Sequence, residues 1–228
     1  MKILGFAKMT LLDYPSKVAC TVFTSGCNFR CPFCHNALLV EENGETYSEE
    51  EILEFLEKRK GLLDGVCVTG GEPLLQPDIE EFISKIKAMG YSVKLDTNGS
   101  FPEKLISLVE KGLIDYVAMD VKNCMEKYAL SVGIENFNTQ NIEKSIDFLL
   151  TGAVDYEFRT TVVAEHHDIQ DIEAIGRRIK GAKRYFLQKF VDSGCLLEEG
   201  LHAHGNETME EMRVKAAAFV TDAQLRGL

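Results

Sequence analysis

The chain reads as an α/β protein whose parallel sheet is covered by helices, and three observations say so. Six short apolar, β-branched or aromatic runs recur along its 228 residues. Amphipathic stretches of helical length separate them. No linker or low-complexity tract breaks the alternation. Parallel neighbours need a crossover about a helix long, so this order calls for a parallel sheet with helices outside it. Six units are fewer than the eight that close a complete barrel, which leaves an open doubly wound sheet or an incomplete, curved barrel. Periodicity does not separate the two, but both put chemistry at the carboxyl ends of the strands.

The six runs are 18–24, 66–69, 91–96, 116–121, 155–163 and 184–190, and each reads as a strand. Ser48 with Glu51 makes a capping box for the first helix. The second has Ile79, Phe82, Ile83 and Ile86 at helical spacing, the acids Asp78, Glu80 and Glu81 early, and Gly90 as a stop. Pro102 opens and Gly112 closes the third. Ile142, Ile146 and Leu149 supply the apolar stripe of the fourth, and Ile172, Ile175 and Ile179 that of the fifth. Thr208 with Glu211 opens a last helix, expected over about 208–225. We read 1–228 as one domain with its core over about 17–190, followed by a C-terminal loop and helix over 191–228.

With 45% hydrophobic residues the chain can bury a substantial core. Its 25 Lys+Arg against 36 Asp+Glu leave a net charge of -11, which repels phosphate backbones and argues against nucleic acid as a partner. The first residues lack a secretory signal's apolar core, and no stretch approaches roughly 18 uninterrupted apolar residues. A soluble, cytoplasmic protein with no membrane partner is therefore expected. A reducing cytosol disfavours a disulfide framework for the seven cysteines. Cys20 and Cys67 fall in apolar strand runs and read as small core residues.

Cys27, Cys31 and Cys34 are different. They share one 8-residue run after the first strand, spaced C-x3-C-x2-C, with no fourth cysteine close behind. Thiolates this crowded bind a soft metal or an iron–sulfur cluster. A 4Fe–4S cube on three thiolates leaves one iron open to a small molecule. Candidate partners collect at the other strand ends. Gly70-Gly71-Glu72-Pro73 ends the second strand, where paired glycines let backbone approach a ligand and Glu72 adds a carboxylate. Asp96-Thr97-Asn98-Gly99 ends the third, a turn signal on its own. Asp120 and Lys122 end the fourth, two residues apart and so on one face of an extended chain. Arg159 interrupts the fifth, where a buried guanidinium needs an anionic partner. Gln188 interrupts the sixth, as an inner-face amide or a ligand contact.

Two other metal readings compete. Cys31-Pro32-Phe33-Cys34-His35 matches the C-x2-C-H haem attachment motif, but attachment normally requires export and Cys27 would go unexplained. A Cys3His zinc site would use His35, although ligands adjacent in sequence are awkward at one tetrahedral ion. His166, His167, His202 and His204 sit in loops, where paired histidines are ordinarily solvent-exposed bystanders.

The run C-x3-C-x-aromatic-C after a first strand, with Gly-Gly-Glu-Pro after a second, resembles the radical S-adenosylmethionine (SAM) superfamily. The resemblance implies a partial (β/α)6 TIM-like barrel. It implies one [4Fe-4S] cluster on Cys27, Cys31 and Cys34, whose open iron takes the amino and carboxylate groups of SAM. Phe33 would pack near the adenine. Gly70, Gly71 and Glu72 would hold the methionyl amino group, Arg159 would meet the SAM carboxylate, and Asp96, Asn98, Lys122 and Gln188 would line the site. Asp96, Thr97 and Asp120 match positions that hold a monovalent cation in a related activase. The opening from Leu12 to Phe23 resembles activating enzymes of glycyl-radical enzymes, above all the activase of anaerobic ribonucleoside-triphosphate reductase. That likeness implies the reductase as partner and a flavodoxin- or ferredoxin-like electron donor. Ser16 departs from it, standing where a glycine is usual, and 195–207 has no matching feature. Cys124 and Cys195 stand isolated, so no second cluster is expected. The rival within the superfamily is a small-molecule enzyme such as a deazapurine-forming synthase, or an activase of another glycyl-radical enzyme.

Overall fold

A computed structural model describes residues 1–40, 46–192, 194 and 196–228 of the chain. Among these residues, eight strands form one sheet in sequence order: β1 (Ile3–Thr10), β2 (Ala19–Thr24), β3 (Gly65–Gly70), β4 (Ser92–Thr97), β5 (Tyr116–Asp120), β6 (Asp155–Val162), β7 (Arg184–Lys189) and β8 (Asp222–Arg226). β1 pairs antiparallel with β2, and every later pairing is parallel. The six strands read from sequence are β2 to β7. Each pair of ends agrees to within a residue or so.

The helices are α1 (Ala37–Val40), α2 (Glu49–Lys58), α3 (Ile79–Ala88), α4 (Pro102–Glu110), α5 (Tyr128–Val132), α6 (Gln140–Leu150), α7 (Ile169–Arg178) and α8 (Asn206–Ala217). The Ser48–Glu51 capping box on α2 is present in both directions. α3 buries Ile79, Phe82, Ile83 and Ile86, each no more than 3% exposed. At about 1.5–3 kcal/mol per buried side chain, that stripe alone anchors the helix. None of the helices among the described residues is long and apolar enough to cross a membrane.

Two edges differ from the sequence reading. β1 was not anticipated, because Gly5 and Lys8 break its apolar pattern and only Ile3 in it is buried. The last helix does not run over 208–225. α8 starts at Asn206 behind Gly205, so Thr208 lies inside it without capping, and it stops at Ala217. The chain then turns into β8, whose sequence Asp222-Ala223-Gln224-Leu225-Arg226 is too polar to announce a strand. α7 likewise has a capping box that was not read, formed by Asp168 and Asp171 with an aspartate in place of the usual Glu or Gln.

The sheet curls. Leu12, Asp13 and Pro15, in the loop from β1 to β2, line the same cleft as Arg226 and Gly227 at the far edge. In a flat sheet those edges would stand about 30 Å apart, given about 4.8 Å between neighbouring strands. β8 is fixed inward by Arg226, whose two guanidinium nitrogens donate to the Glu157 carboxylate at 2.9 and 3.2 Å. Tyr116 Oη donates to the same carboxylate at 2.8 Å, and Glu157 is 1% exposed.

Candidate active site

The cysteine loop leaves β2 and is bound at once to the end of β3. Gly71 N–H donates to Thr24 C=O at 3.0 Å, and Glu72 N–H donates to Gly26 C=O at 2.9 Å. This closeness requires the glycine pair. Gly70 has φ of +134°, and a Cβ on it would lie 2.2 Å from the Thr24 carbonyl oxygen. A Cβ on Gly71 would lie 2.0 Å from the Gly26 carbonyl oxygen. Sequence reasoning assigned the pair to room for a ligand. Both glycines do line the cavity described next, but the nearer reason for them is backbone against backbone.

The strand ends enclose a cavity of about 250 Å³. Cys27, Cys31, Phe33 and Cys34 form one side, and Gly70, Gly71, Asp96, Thr97 and Asn98 the next. Asp120, Lys122, Arg159 and Gln188 complete it. The residues picked out from six separate strands and strand ends thus meet in one place, with one exception. Glu72, expected beside a ligand's amino group, is wholly buried behind the wall. Its carboxylate accepts from Leu74 N–H at 3.0 Å, Thr97 Oγ1 at 2.9 Å and Asn98 N–H at 2.7 Å. It locks the end of β3 to the end of β4. Burial raises it to about 7, and those three donors act in the opposite sense.

The thiols are held by their neighbours. Arg30 Nη1 donates to the carbonyls of Cys27 at 2.6 Å and Phe29 at 2.8 Å, and Asn98 Nδ2 lies 3.9 Å from Cys27 Sγ. Burial pushes the Cys27 thiol up to about 11 and the Cys31 thiol to about 12, so both keep their protons until a metal displaces them. His35 lines the cavity with the cysteines but does not converge with them as a fourth zinc ligand. It stacks on Phe190 with ring centroids 5.8 Å apart. Among the described residues no three His, Cys, Asp or Glu side chains converge on a single ion. Three thiols along one cavity wall suit a polynuclear cluster, and the wall opposite offers the charged groups a bound amino acid would need. The donor set therefore fits a 4Fe–4S cluster with SAM on its open iron.

Along the cavity wall, five charges alternate across three strands and their ends. Lys94 Nζ donates to Asp96 Oδ1, Arg159 Nη1 lies 3.2 Å from Asp96 Oδ2, Arg159 Nε lies 3.0 Å from Asp120 Oδ1, and Lys122 Nζ lies 2.8 Å from Asp120 Oδ2. Burial alone would raise both carboxyls, but Arg159 with Lys94 beside Asp96, and with Lys122 beside Asp120, holds them below the usual range. The same carboxylates push Arg159 and Lys122 up against the effect of burial. Lys94 was not picked out from sequence. It lies two residues before Asp96 on the same strand face, so strand parity was the signal that could have found it. Thr161, two residues past Arg159, lines the cavity by the same rule.

Three of the four loop histidines are not bystanders, His204 being half-buried with its Nε2 2.7 Å from the His167 carbonyl oxygen. His166 and His167 are 7% and 1% exposed, and their rings meet Phe33 edge-on at 5.2 and 6.1 Å. His167 Nε2 lies 2.8 Å from the Lys122 carbonyl oxygen while Nδ1 accepts from Val163 N–H at 3.1 Å. Burial lowers it to about 4, so it is a neutral brace between the cysteine loop and the end of β5. His202 is exposed, as expected, and pairs with Glu165 at 2.7 Å. Cys20 and Cys67 are buried as read. Cys124 is buried too, its thiol 3.4 Å from Asp171 Oδ1, whereas Cys195 lies outside the described residues.

The sequence profile of the Radical SAM superfamily matches residues 21–179. The chain belongs to the radical SAM superfamily. Its fold is the partial (β/α)6 TIM-like barrel of that type, extended here by β1 and β8. A provisionally named glycyl-radical enzyme activating enzyme of Methanocaldococcus jannaschii is 36% identical over 202 residues, 86% of this chain and 82% of that one. A 7-carboxy-7-deazaguanine synthase of Methanopyrus kandleri is 28% identical over 212 residues, 74% of this chain and 83% of that one. Among solved structures, Streptococcus suis SuiB bound to S-adenosylmethionine has the same fold at a TM-score of 0.68 and 12% identity, covering 88% of this chain and 48% of that one. Membership implies a [4Fe-4S] cluster and SAM as cofactors of this enzyme.

Proposed function

We propose that this radical SAM enzyme is a cytoplasmic activase of a glycyl-radical enzyme, with an anaerobic ribonucleoside-triphosphate reductase as its partner. One observation carries the reading. A second cleft, of about 380 Å³, shares Asp96, Arg159 and Gln188 with the cysteine cavity and opens at the side of the barrel past Leu12 and Val191. Leu12 is 92% and Val191 59% exposed, apolar lips suited to a protein segment laid in from outside. The similarity to the Methanocaldococcus activating enzyme over most of both chains agrees with it.

In this reading Cys27, Cys31 and Cys34 hold the cluster. Phe33, Gly70, Gly71, Asp96, Asn98, Lys122, Arg159 and Gln188 surround SAM, and Glu72 fixes the wall that two of them stand on. When bound, the cluster and SAM supply a one-electron cleavage to methionine and a 5′-deoxyadenosyl radical, fed by a flavodoxin- or ferredoxin-like donor, that takes a hydrogen from a glycine Cα. The chain's own part is placement. Lys122 and Arg159 orient an anionic group, the barrel wall excludes water, and no side chain has to move a proton for hydrogen abstraction.

The test is anaerobic incubation of the reconstituted enzyme with the reductase, SAM and a reductant. Deoxyadenosine together with a glycyl-radical doublet on the reductase in electron paramagnetic resonance is expected. Deoxyadenosine with no doublet would remove the reductase. The relative from Methanopyrus favours a second reading, a deazapurine-forming synthase, which a deazapurine product without any protein partner would establish instead.

A further inference from the structure

A monovalent cation on Asp96, Thr97 and Asp120, implied by resemblance, does not fit the site. Both oxygens of Asp96 are taken, one by Lys94 and the other by Arg159. Both oxygens of Asp120 are taken, one by Arg159 and the other by Lys122. Thr97 Oγ1 is turned away, donating to Glu72 and accepting from Gly99 N–H at 3.1 Å.

The electrostatics explain why something positive must be there. Two aspartates on neighbouring strands, both ionised and with side chains only 14% and 30% exposed, repel each other unless cations stand between and beside them. Arg159 stands between. Lys122 caps the Asp120 end, on the cavity side. Lys94 caps the Asp96 end, and it is 2% exposed, with the Cys67 thiol 3.7 Å from its Nζ. Burying an ammonium so completely is costly without a fixed anionic partner, and Asp96 is that partner.

We propose that Lys94 is the resident cation of this site: its ammonium holds Asp96 on the cavity wall in the role a monovalent metal ion would otherwise fill. SAM binding and cleavage by this enzyme then need no added potassium or sodium. Lys94 acts through Asp96 and is a positioning residue. It lines the side cleft together with Asp96, so removing its side chain leaves room beside Asp96 for a small cation. The inference concerns the site alone and holds whether the radical acts on a protein or a small molecule.

The test compares potassium, ammonium and tetramethylammonium chloride at equal ionic strength. Two readouts are used: SAM cleavage by the reconstituted full chain, and thermal melting of the cluster-free full chain. Wild type is expected to behave alike in all three salts. Lys94→Ala is expected to melt about 10 °C lower in tetramethylammonium, since it leaves a buried carboxylate short of a partner, and to regain part of that loss in potassium or ammonium. A plain packing defect would not tell a small cation from a bulky one. Wild-type cleavage that collapses in tetramethylammonium overturns the proposal, and so does a variant that melts alike in every salt. If Lys94→Ala does not fold, the wild-type comparison still decides the matter, and Lys94→Met repeats the melting test with most of the packing kept.

Discussion

Gly70→Ala isolates the contact that joins the cysteine loop to the sheet. At φ of +134° an alanine is strained by about 1–3 kcal/mol. Its Cβ would also sit 2.2 Å from the oxygen and 2.3 Å from the nitrogen of Thr24, both backbone atoms that cannot swing aside. Overpacking of that kind adds about 1–3 kcal/mol. The total, about 4 kcal/mol, lowers the melting temperature by about 12 °C in a chain of this size. Because Thr24 leads into the loop that carries Cys27, iron incorporated on anaerobic reconstitution falls as well. Gly90→Ala is the control: φ is +93°, yet nothing lies within 4 Å of its added Cβ, so only strain is felt. Calorimetry and iron analysis on the three proteins decide the case. If Gly70→Ala melts within 2 °C of wild type, or no lower than Gly90→Ala, the close approach does not hold the loop as argued.

Further outcomes follow from the site and its surroundings. Replacing Cys27, Cys31 or Cys34 singly by alanine should abolish deoxyadenosine formation, and reconstituted wild type should carry about four irons and four sulfides per chain; full SAM cleavage in each variant would refute the assignment. Glu72 has a folded-state value of about 7, above its ordinary 4.5, because burial penalises its charge. Folding therefore takes up a proton between those values, and the stability from this group is complete below about pH 4.5 and lost as pH rises through 7, by roughly 3 kcal/mol. The melting advantage of wild type over Glu72→Gln should accordingly shrink between pH 5 and pH 8, and an advantage that grows would reverse the reasoning. Ser16 has φ of +60°, the left-handed region that favours glycine. Ser16→Gly should raise the melting temperature by about 2 °C, from about 0.5–1 kcal/mol of relieved strain, and a lower value would count against it.

Most of the site was legible because strand ends are where turn formers and polar residues interrupt apolar runs. Asp96, Asp120, Lys122, Arg159 and Gln188 each broke such a run, and the sheet gathered them. What was not legible depended on contacts across the chain. Gly70 looked like a ligand's neighbour because Thr24 is close only in space. Glu72 read as a contact because two of its three donors, Thr97 and Asn98, come from a strand end that no local pattern links to it. His166 and His167 looked like surface loop residues because nothing nearby shows that Phe33 covers them. β8 was hidden by composition, since only Ala223 in it is buried and what holds it is backbone pairing along β7 together with Arg226 reaching Glu157.

The run from Lys94 through Asp96, Arg159 and Asp120 to Lys122 has a consequence for how this enzyme will look under mutation. Three positive groups and two negative ones share their partners in series, so removing any one leaves a neighbour short of a partner in a largely buried row. A scan of single substitutions would show five intolerant positions of similar severity and invite five separate roles. Pairwise cycles should instead give large coupling energies between members and little added loss for the second change. Intolerance along this row would report membership in one electrical unit, and contact with a ligand would have to be established by other means.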